Sequence, residues 1–401
     1  MADKSYDYII VGANLAGASA VEGIRGVDKE GSILLLGSEQ HLPYNRPPLS
    51  KKLWFGQKKV EDIFVYDEQF YKDNNVNLSL CTAVVGVDAH SKIVHDAMGN
   101  LYTYGKLLLA TGGYPKRLTI PGGDLPDIIY YRYLGDYLKS REQASEGKSA
   151  LVIGGGFIGS ELAAALNANK VDVTIIYPEQ YIVQRVFPEG LGRAIERDYD
   201  SRGIKILSED VPTSIEQRGN RFLTMTGKGK AIESDMVIVG IGIDPSVQLA
   251  EDAGLAVKNG ILVNDRLQTS DPNIYAAGDN AFFPYLALDK QVRIEHWDNA
   301  LNQGLHAGRN MAGVNEPFTY MPYFFSDLFD FGYEAVGDID SRLDIVTDWQ
   351  KENDTGVIYY LKDGIVRGVM LCNVWEKLDA AREIIRKGEK MTSEDLRGAI
   401  K

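Results

Sequence analysis

Two short glycine-rich turns carry the chemistry most directly readable in this chain. Gly12, Asn14 and Gly17 follow the apolar run YDYIIV, and Gly154, Gly156 and Gly159 follow SALVI. In such a turn the first glycine permits a tight bend and the second lets the backbone approach a pyrophosphate. The third lets the following helix pack closely on the strand. The phosphates then lie on unpaired N–H groups at the helix N-terminus. An acid after the next strand can bond a ribose hydroxyl, and Glu39 and Glu179 stand there. In the first copy Asn14 replaces the middle glycine. Asn tolerates left-handed backbone, so the turn survives, but a phosphate must clear its side chain.

The elements that must position these turns repeat one plan. Residues 6–39 read as strand, turn, helix (Ala18 to Arg25) and strand, and residues 149–179 repeat this with a helix from Ser160 to Ala168. The apolar strand runs suit a parallel sheet covered on both faces. Two dinucleotide sites imply two dinucleotides. A held flavin and an exchanging nicotinamide together make an electron relay.

Composition narrows the rest. At 401 residues, 44% apolar and 25% charged, the chain has room for two or three domains of ordinary globular type. No apolar run approaches the roughly 20 residues of a membrane span. The start, MADKSYDYIIVGAN, enters a strand with no basic leader, so a cytoplasmic location is expected. A net charge of −13 argues against nucleic acid. It also disfavours an acidic protein partner unless a basic patch exists, for which Lys51, Lys52, Lys58 and Lys59 are candidates against a solvated face. Two cysteines, Cys81 and Cys372, form no CxxC, so neither a structural zinc site nor a local dithiol is expected, and no metal.

Four further segments, PYNRPPLSK (43–51), LLLATGG (107–113), IVGIGIDPS (238–246) and IYAAGDNAFF (274–283), complete a pattern that spans nearly the whole chain. With the two turns, in this order, it resembles the pyridine-nucleotide flavoprotein reductase family. It is most similar to the branch without a redox disulfide: ferredoxin and rubredoxin reductases, monodehydroascorbate reductase and apoptosis-inducing factor. IGGGFIGSELAAAL (153–166), FFSDLFDFGYEAVGDIDS (324–341) and GVIYYLKDGIVRGVMLCN (356–373) read most like apoptosis-inducing factor. The resemblance implies an α/β fold with two tandem Rossmann-like domains of the glutathione-reductase type and a C-terminal α+β domain. The expected division is an FAD-binding domain at 1–115 and 243–322, an NAD(H)-binding domain at 116–242, and an interface-type domain at 323–401. In the last, VIYYL and VRGVM flank a Lys-Asp-Gly turn, a hairpin signal, and Glu376 to Lys390 reads as an amphipathic helix.

Residue by residue, the resemblance implies that Gly12, Asn14, Leu15, Ala16 and Gly17 cradle the FAD pyrophosphate. Ser38 and Glu39 should lie at its ribose, where the family often has two acids. Ser38 departs, leaving the contact to Glu39. Arg46 and Lys51 should lie along the flavin, with Ala110, Thr111, Gly112, Arg132 and Gly278 as further contacts. Asp279 should bond the ribityl chain from a helix N-terminus. Glu295, His296 and Trp297 should line the flavin's other edge, and Trp297 departs from the His of apoptosis-inducing factor. Lys51 pairs with Glu161 in the family, stabilising a reduced, anionic flavin, against the plain alternative of a surface ion pair. Phe157 covers the flavin in relatives, or is ordinary core. Phe325 stands where apoptosis-inducing factor has a Trp, near the flavin edge, although Tyr323, Phe324 and Phe325 also read as packing aromatics. Gly154, Gly156, Phe157, Ile158, Gly159, Glu161, Tyr177, Glu179 and Gly242 are the implied NAD contacts. Glu179 would repel a 2′-phosphate, favouring NADH over NADPH, with Arg185 six residues on as a complication. Direct transfer between rings stacked about 3–3.5 Å apart needs no general acid or base.

Without a thiol pair or a cysteine in 43–53, glutathione-, thioredoxin- and peroxidase-type activities are not expected, and Cys81 and Cys372 read as inert packing residues. Three readings of the function remain. One is an NADH-dependent reductase serving a small iron–sulfur protein, a quinone or another small molecule. The second is a redox-responsive binding module whose stable reduced flavin–NAD complex drives an NADH-dependent homodimer. The third is a monodehydroascorbate-type reductase, resting on RIEHWDNA (293–300) and YMPYFFS (320–326). The acidic balance ranks it last, because its anionic substrate needs a cationic pocket.

Overall fold

The strand Lys4–Val11 runs straight into the first glycine turn and the helix Leu15–Arg25 in a computed structural model that describes residues 4–400. The described chain forms two units. One takes the chain up to Asn45, Val60–Tyr114 and Pro245–Pro322. The other takes Arg46–Lys59, Pro115–Asp244 and the chain from Tyr323 onward.

In the first unit the main sheet is ordered Val76–Ser79, Ile33–Leu36, Lys4–Val11, Leu101–Leu109, Ile93–Asp96 and Val84–Asp88. Ile274–Ala276 also pairs with Leu101–Leu109. Val11 aligns in parallel with Leu36 on one side and Leu109 on the other. Ile9, Ile10, Leu35, Leu107 and Leu108 are completely buried, as expected of continuous apolar runs in a sheet covered on both faces. The helix Leu15–Arg25 packs on a second helix, Trp297–Met311, through small residues. A Cβ at Gly304 would lie 2.2 Å from the Ala16 carbonyl oxygen, and one at Gly308 2.2 Å from that of Ala20. The helix that follows Glu295-His296 is thereby held backbone to backbone against the helix that follows the first glycine turn.

The second unit contains a parallel sheet ordered Lys205–Ser208, Asp172–Tyr177, Ser149–Ile153, Met236–Val239 and Ile129–Tyr130. Its second glycine turn leads into the helix Phe157–Ala168. Leu151, Ile153, Ile176, Val237 and Val239 share one core with Ile215 and Phe222 of a three-stranded antiparallel sheet. The chain from Tyr323 forms a five-stranded antiparallel sheet ordered Tyr323–Leu328, Phe331–Gly337, Ile365–Cys372, Thr355–Lys362 and Asp344–Lys351. The hairpin read from the sequence is present. Asp363 and Gly364 both have positive φ (54° and 80°), the requirement of a tight turn whose twist matches the strands. The following helix, Leu378–Lys387, is shorter than its pattern at both ends: Glu376 has φ 62° before it, and Gly388 turns left-handed and ends it.

The units differ from the sequence boundaries in two places. Residues 46–59, read as part of the first domain, belong to the second unit, and residues 323–400 share that unit with 115–244. The reason is side-chain anchoring. The Tyr131 hydroxyl donates to the Leu49 carbonyl, Trp54 Nε1 donates to Tyr131, and Asn169 donates to the Trp54 carbonyl. Phe187 packs edge-on against Phe331 and Tyr333.

Replacing Gly304 by Val forces a branched side chain into the Ala16 backbone. The expected outcome is a loss of about 1–3 kcal/mol of stability, read as a lower urea midpoint. A midpoint at or above that of the parent would show that the two helices have room to spare.

Candidate functional site

The first cradle is built by backbone contact. Gly12 has φ +123°, and a Cβ there would sit 2.1 Å from the Ala110 carbonyl oxygen. One at Gly17 would sit 2.0 Å from that of Gly12. Asn14 caps the helix: its Nδ2 donates to the Ala110 carbonyl at 2.5 Å and its Oδ1 accepts from the Gly17 N–H at 3.2 Å. The side chain that the sequence set in the path of a phosphate is folded back into the turn. Leu15 and Ala16, first in the helix, have N–H groups with no intrahelical acceptor.

Around this turn, the Thr111 hydroxyl donates to the Ser246 carbonyl and accepts from Asn280 Nδ2. Gly112 adopts φ +65°. Ser38 is exposed, and the Glu39 carboxylate accepts the Tyr44 hydroxyl at 2.7 Å. The Gly278 N–H is bonded to Gln303 Oε1 at 2.9 Å. Asp279 is not at a helix N-terminus, as the sequence reading had it. It sits on a turn that passes directly into the strand Ala281–Tyr285. Arg293 bonds the Asp279 carbonyl and pairs with exposed Glu295. Trp297 donates its indole N–H to Asn45 Oδ1 at 2.6 Å. His296 is partly buried, and that burial pulls its imidazole down to about 4, against the opposing effect of the Asp279 carboxylate.

The second cradle repeats the construction. Gly154 has φ +118°, with a Cβ there only 2.3 Å from the Gly240 carbonyl oxygen, and one at Gly159 would meet that of Gly154 at 1.8 Å. A Cβ at Gly156 would meet nothing within 4 Å, so the space above the turn is open. Ile158 and Gly242 are exposed beside it. Tyr177 is different. Its ring is buried against Gly155 and its hydroxyl donates to Glu196 at 2.6 Å, so its side chain is spent within the fold. Glu179 follows the strand Asp172–Tyr177, partly buried, with its carbonyl accepting from the Glu209 N–H. Arg185 is exposed, and its carbonyl accepts from the Ser341 N–H.

A charged cluster occupies the same unit. Lys51 and Glu161 are each 6% exposed and pair at 3.2 Å, so the surface ion-pair alternative is set aside. Lys51 Nζ also donates to the Phe325 carbonyl at 3.1 Å and lies 4.4 Å from the centre of its ring. Phe157 opens the helix that carries Glu161, with its ring 5.3 Å from that of Phe324. Arg46 donates to the Arg132 carbonyl at 2.7 Å and stacks on Tyr133. Sequence reasoning missed two hydroxyls here, Ser50 and Ser326, both bonded to the Glu161 carboxylate. The one signal for Ser50 is its place beside Lys51 in PPLSK. The buried Lys51 also leaves the basic cluster proposed from sequence, while Lys52 and Lys59 are exposed.

Cys372 is buried, which pushes its thiol up, but Cys81 is exposed and is not the packing residue expected. Among the described residues no cluster of His, Cys, Asp and Glu could hold a metal, and no helix is long and apolar enough to cross a membrane.

Residues 6–304 match the model of the pyridine nucleotide-disulphide oxidoreductase family. The chain belongs to that family. Residues 307–355 and 347–387 match the model of the C-terminal part of apoptosis-inducing factor, mitochondrion-associated. The chain is 33% identical to apoptosis-inducing factor 1, mitochondrial, of Dictyostelium discoideum, over 98% of this chain and 81% of that protein. It is 35% identical to a rubredoxin-NAD(+) reductase of Pseudomonas putida, over 82% of this chain and 86% of that protein. Among solved structures it resembles the covalent putidaredoxin reductase–putidaredoxin complex, with a TM-score of 0.91 and 29% identity over 98% of this chain and 95% of that one.

As a member of this family the protein is an oxidoreductase that works with FAD and NAD(H). Both cradles fit a dinucleotide: each is a turn where a Cβ would strike backbone, at the start of a helix whose first N–H groups lack partners. Cys81 and Cys372 are both free, the first exposed and the second buried.

His296 should stay neutral across the physiological range. An imidazole titration followed by NMR should show it unprotonated down to about pH 5, with the midpoint near 4. Since the unfolded imidazole takes its proton near 6.5 and the folded one near 4, its contribution makes stability fall as pH drops through that window. A midpoint near 6.5 would contradict the burial.

Proposed function

We propose that the protein takes electrons from NADH onto FAD and passes them to a small iron–sulfur protein. The observation that carries this reading is the buried Lys51–Glu161 pair, a fixed positive charge in a chain without the thiols of a disulfide reductase. FAD, when bound, supplies the conversion of a two-electron donor into single electrons. The chain's part is positioning and charge. Gly12, Leu15, Ala16 and Gly17 would hold the FAD pyrophosphate, with Asn14 bracing the turn and Glu39 at the ribose. Gly154, Gly156 and Gly159 would hold that of NADH, with Ile158 beside them. Lys51, held by Glu161, would place a positive charge that favours the reduced state of FAD. Arg46, Arg132, Asp279, Glu295, His296, Trp297 and Phe325 are assigned to FAD on the family resemblance, and Phe157 and Gly242 to the nicotinamide side.

The rubredoxin- and putidaredoxin-linked relatives support this acceptor class. The match of residues 307–387 to the apoptosis-inducing-factor model favours a second reading, a redox-responsive module that changes its assembly with NADH. Anaerobic stopped-flow separates them. Bleaching by NADH followed by reoxidation in milliseconds to seconds by an added rubredoxin or [2Fe–2S] ferredoxin is the expected result. Slow bleaching, a persistent long-wavelength band and NADH-dependent dimers would replace the first reading with the second.

NADH is the proposed donor, because the Glu179 carboxylate opposes a 2′-phosphate. Glu179→Ala should narrow the NADH-over-NADPH ratio of kcat/KM by roughly tenfold, equivalent to removing about 1.4 kcal/mol of like-charge repulsion. An unchanged ratio would move the discrimination elsewhere.

A further inference from the structure

We propose that Ser326, together with Ser50, is a positioning residue that holds Glu161 in place for Lys51, so that the strand Tyr323–Leu328 sets the charge of the site. This rests on the role given to Lys51 above.

Glu161 is buried on the helix Phe157–Ala168, where a carboxylate is costly unless both oxygens have donors. Lys51 provides for one of them only, at 3.2 Å to Oε1, and divides its ammonium between Glu161 and the Phe325 carbonyl. The remaining donors are hydroxyls. Ser326 Oγ donates to Oε1 at 2.5 Å and Ser50 Oγ to Oε2 at 2.5 Å. An ionised carboxylate can only accept, so both serines act as donors, at the short distance of charge-assisted bonds.

The three donors come from two stretches of chain far from the helix in sequence. Ser50 and Lys51 are neighbours, and Ser326 lies 165 residues beyond Glu161. Ser326 is itself 2% exposed and follows Phe325, whose carbonyl takes the Lys51 ammonium. One strand thus grips both members of the ion pair, the acid through a side chain and the base through the backbone. Its cross-strand partner, Tyr333, is fully buried. Burial and the Glu161 charge push that phenol well above its usual range, so it does not add a second negative charge. Without the Ser326 hydroxyl, Glu161 loses one of its charge-assisted bonds and is free to turn away from Lys51.

The test is the midpoint potential of the bound FAD, measured by anaerobic dye equilibration in Ser326→Ala, Ser326→Thr and Lys51→Met, with FAD content and thermal midpoint recorded for each. Ser326→Ala is expected to move the potential about 30 mV more negative, the two-electron equivalent of a tenfold weaker preference for the reduced state. Ser326→Thr, which keeps the hydroxyl, should restore the parent value. A native potential in Ser326→Ala, with Lys51→Met shifted, overturns the role of Ser326 and leaves that of Lys51 standing. An unshifted Lys51→Met overturns both. If Ser326→Ala fails to fold or to retain FAD, Ser50→Ala removes the other hydroxyl and is expected to show the same negative shift. Its absence there overturns the proposal.

Discussion

Contact between bare backbones is the constraint on which the architecture rests. At Gly12 and Gly154 a Cβ would stand about 2 Å from the carbonyl oxygen of a neighbouring strand end, and at Gly17 and Gly159 from that of the turn itself. No side chain is small enough for these places, so each helix begins almost in contact with its sheet, with its first N–H groups gathered at one point. The same economy of space recurs where Gly304 and Gly308 meet the Leu15–Arg25 helix. The first cradle and the residues that precede the Trp297–Met311 helix are consequently parts of one rigid piece of the first unit.

The second unit depends on a different interaction. Burying an ammonium and a carboxylate together does not by itself stabilise a fold, because the loss of hydration is of the same order as the attraction. What makes the Lys51–Glu161 pair tolerable is its hydrogen bonding: two hydroxyls on the acid and a backbone carbonyl on the base. The pair is also a register device. It ties the 46–59 segment, the Phe157–Ala168 helix and the Tyr323–Leu328 strand to a single point, and Phe325 adds a ring against the ammonium.

The loop after Tyr177 illustrates how the fold restrains Glu179, the residue proposed to set the choice of nicotinamide dinucleotide. Glu196 accepts from the Tyr177 hydroxyl and from the Ile182 N–H, while Gln184 Oε1 accepts from the Gln180 N–H. The Val186 carbonyl takes the Tyr360 hydroxyl at 2.7 Å. Glu179 therefore sits on a braced turn, and its charge acts from a defined place rather than from a mobile tether.

The sequence by itself determined the features that are local. Strand runs, the two glycine turns, the following helices and the Asp363-Gly364 hairpin depend on periodicity and on backbone angles that few residues adopt, and both are written within a few neighbouring positions. The family resemblance added the pairing of Lys51 with Glu161, and the structure brings those two together at 3.2 Å. Other features lay beyond sequence reading. Asn14 turns inward to Ala110, 96 residues away; the Tyr177 hydroxyl is bonded to Glu196; Asp279 sits on a turn that leads into a strand and not into a helix; and residues 46–59 join the second unit. Ser326 and Ser50 are ordinary serines until folding sets them on Glu161, 165 and 111 residues distant. A side chain's partner is decided by which elements pack together, and that packing is a property of the whole chain that no local pattern encodes.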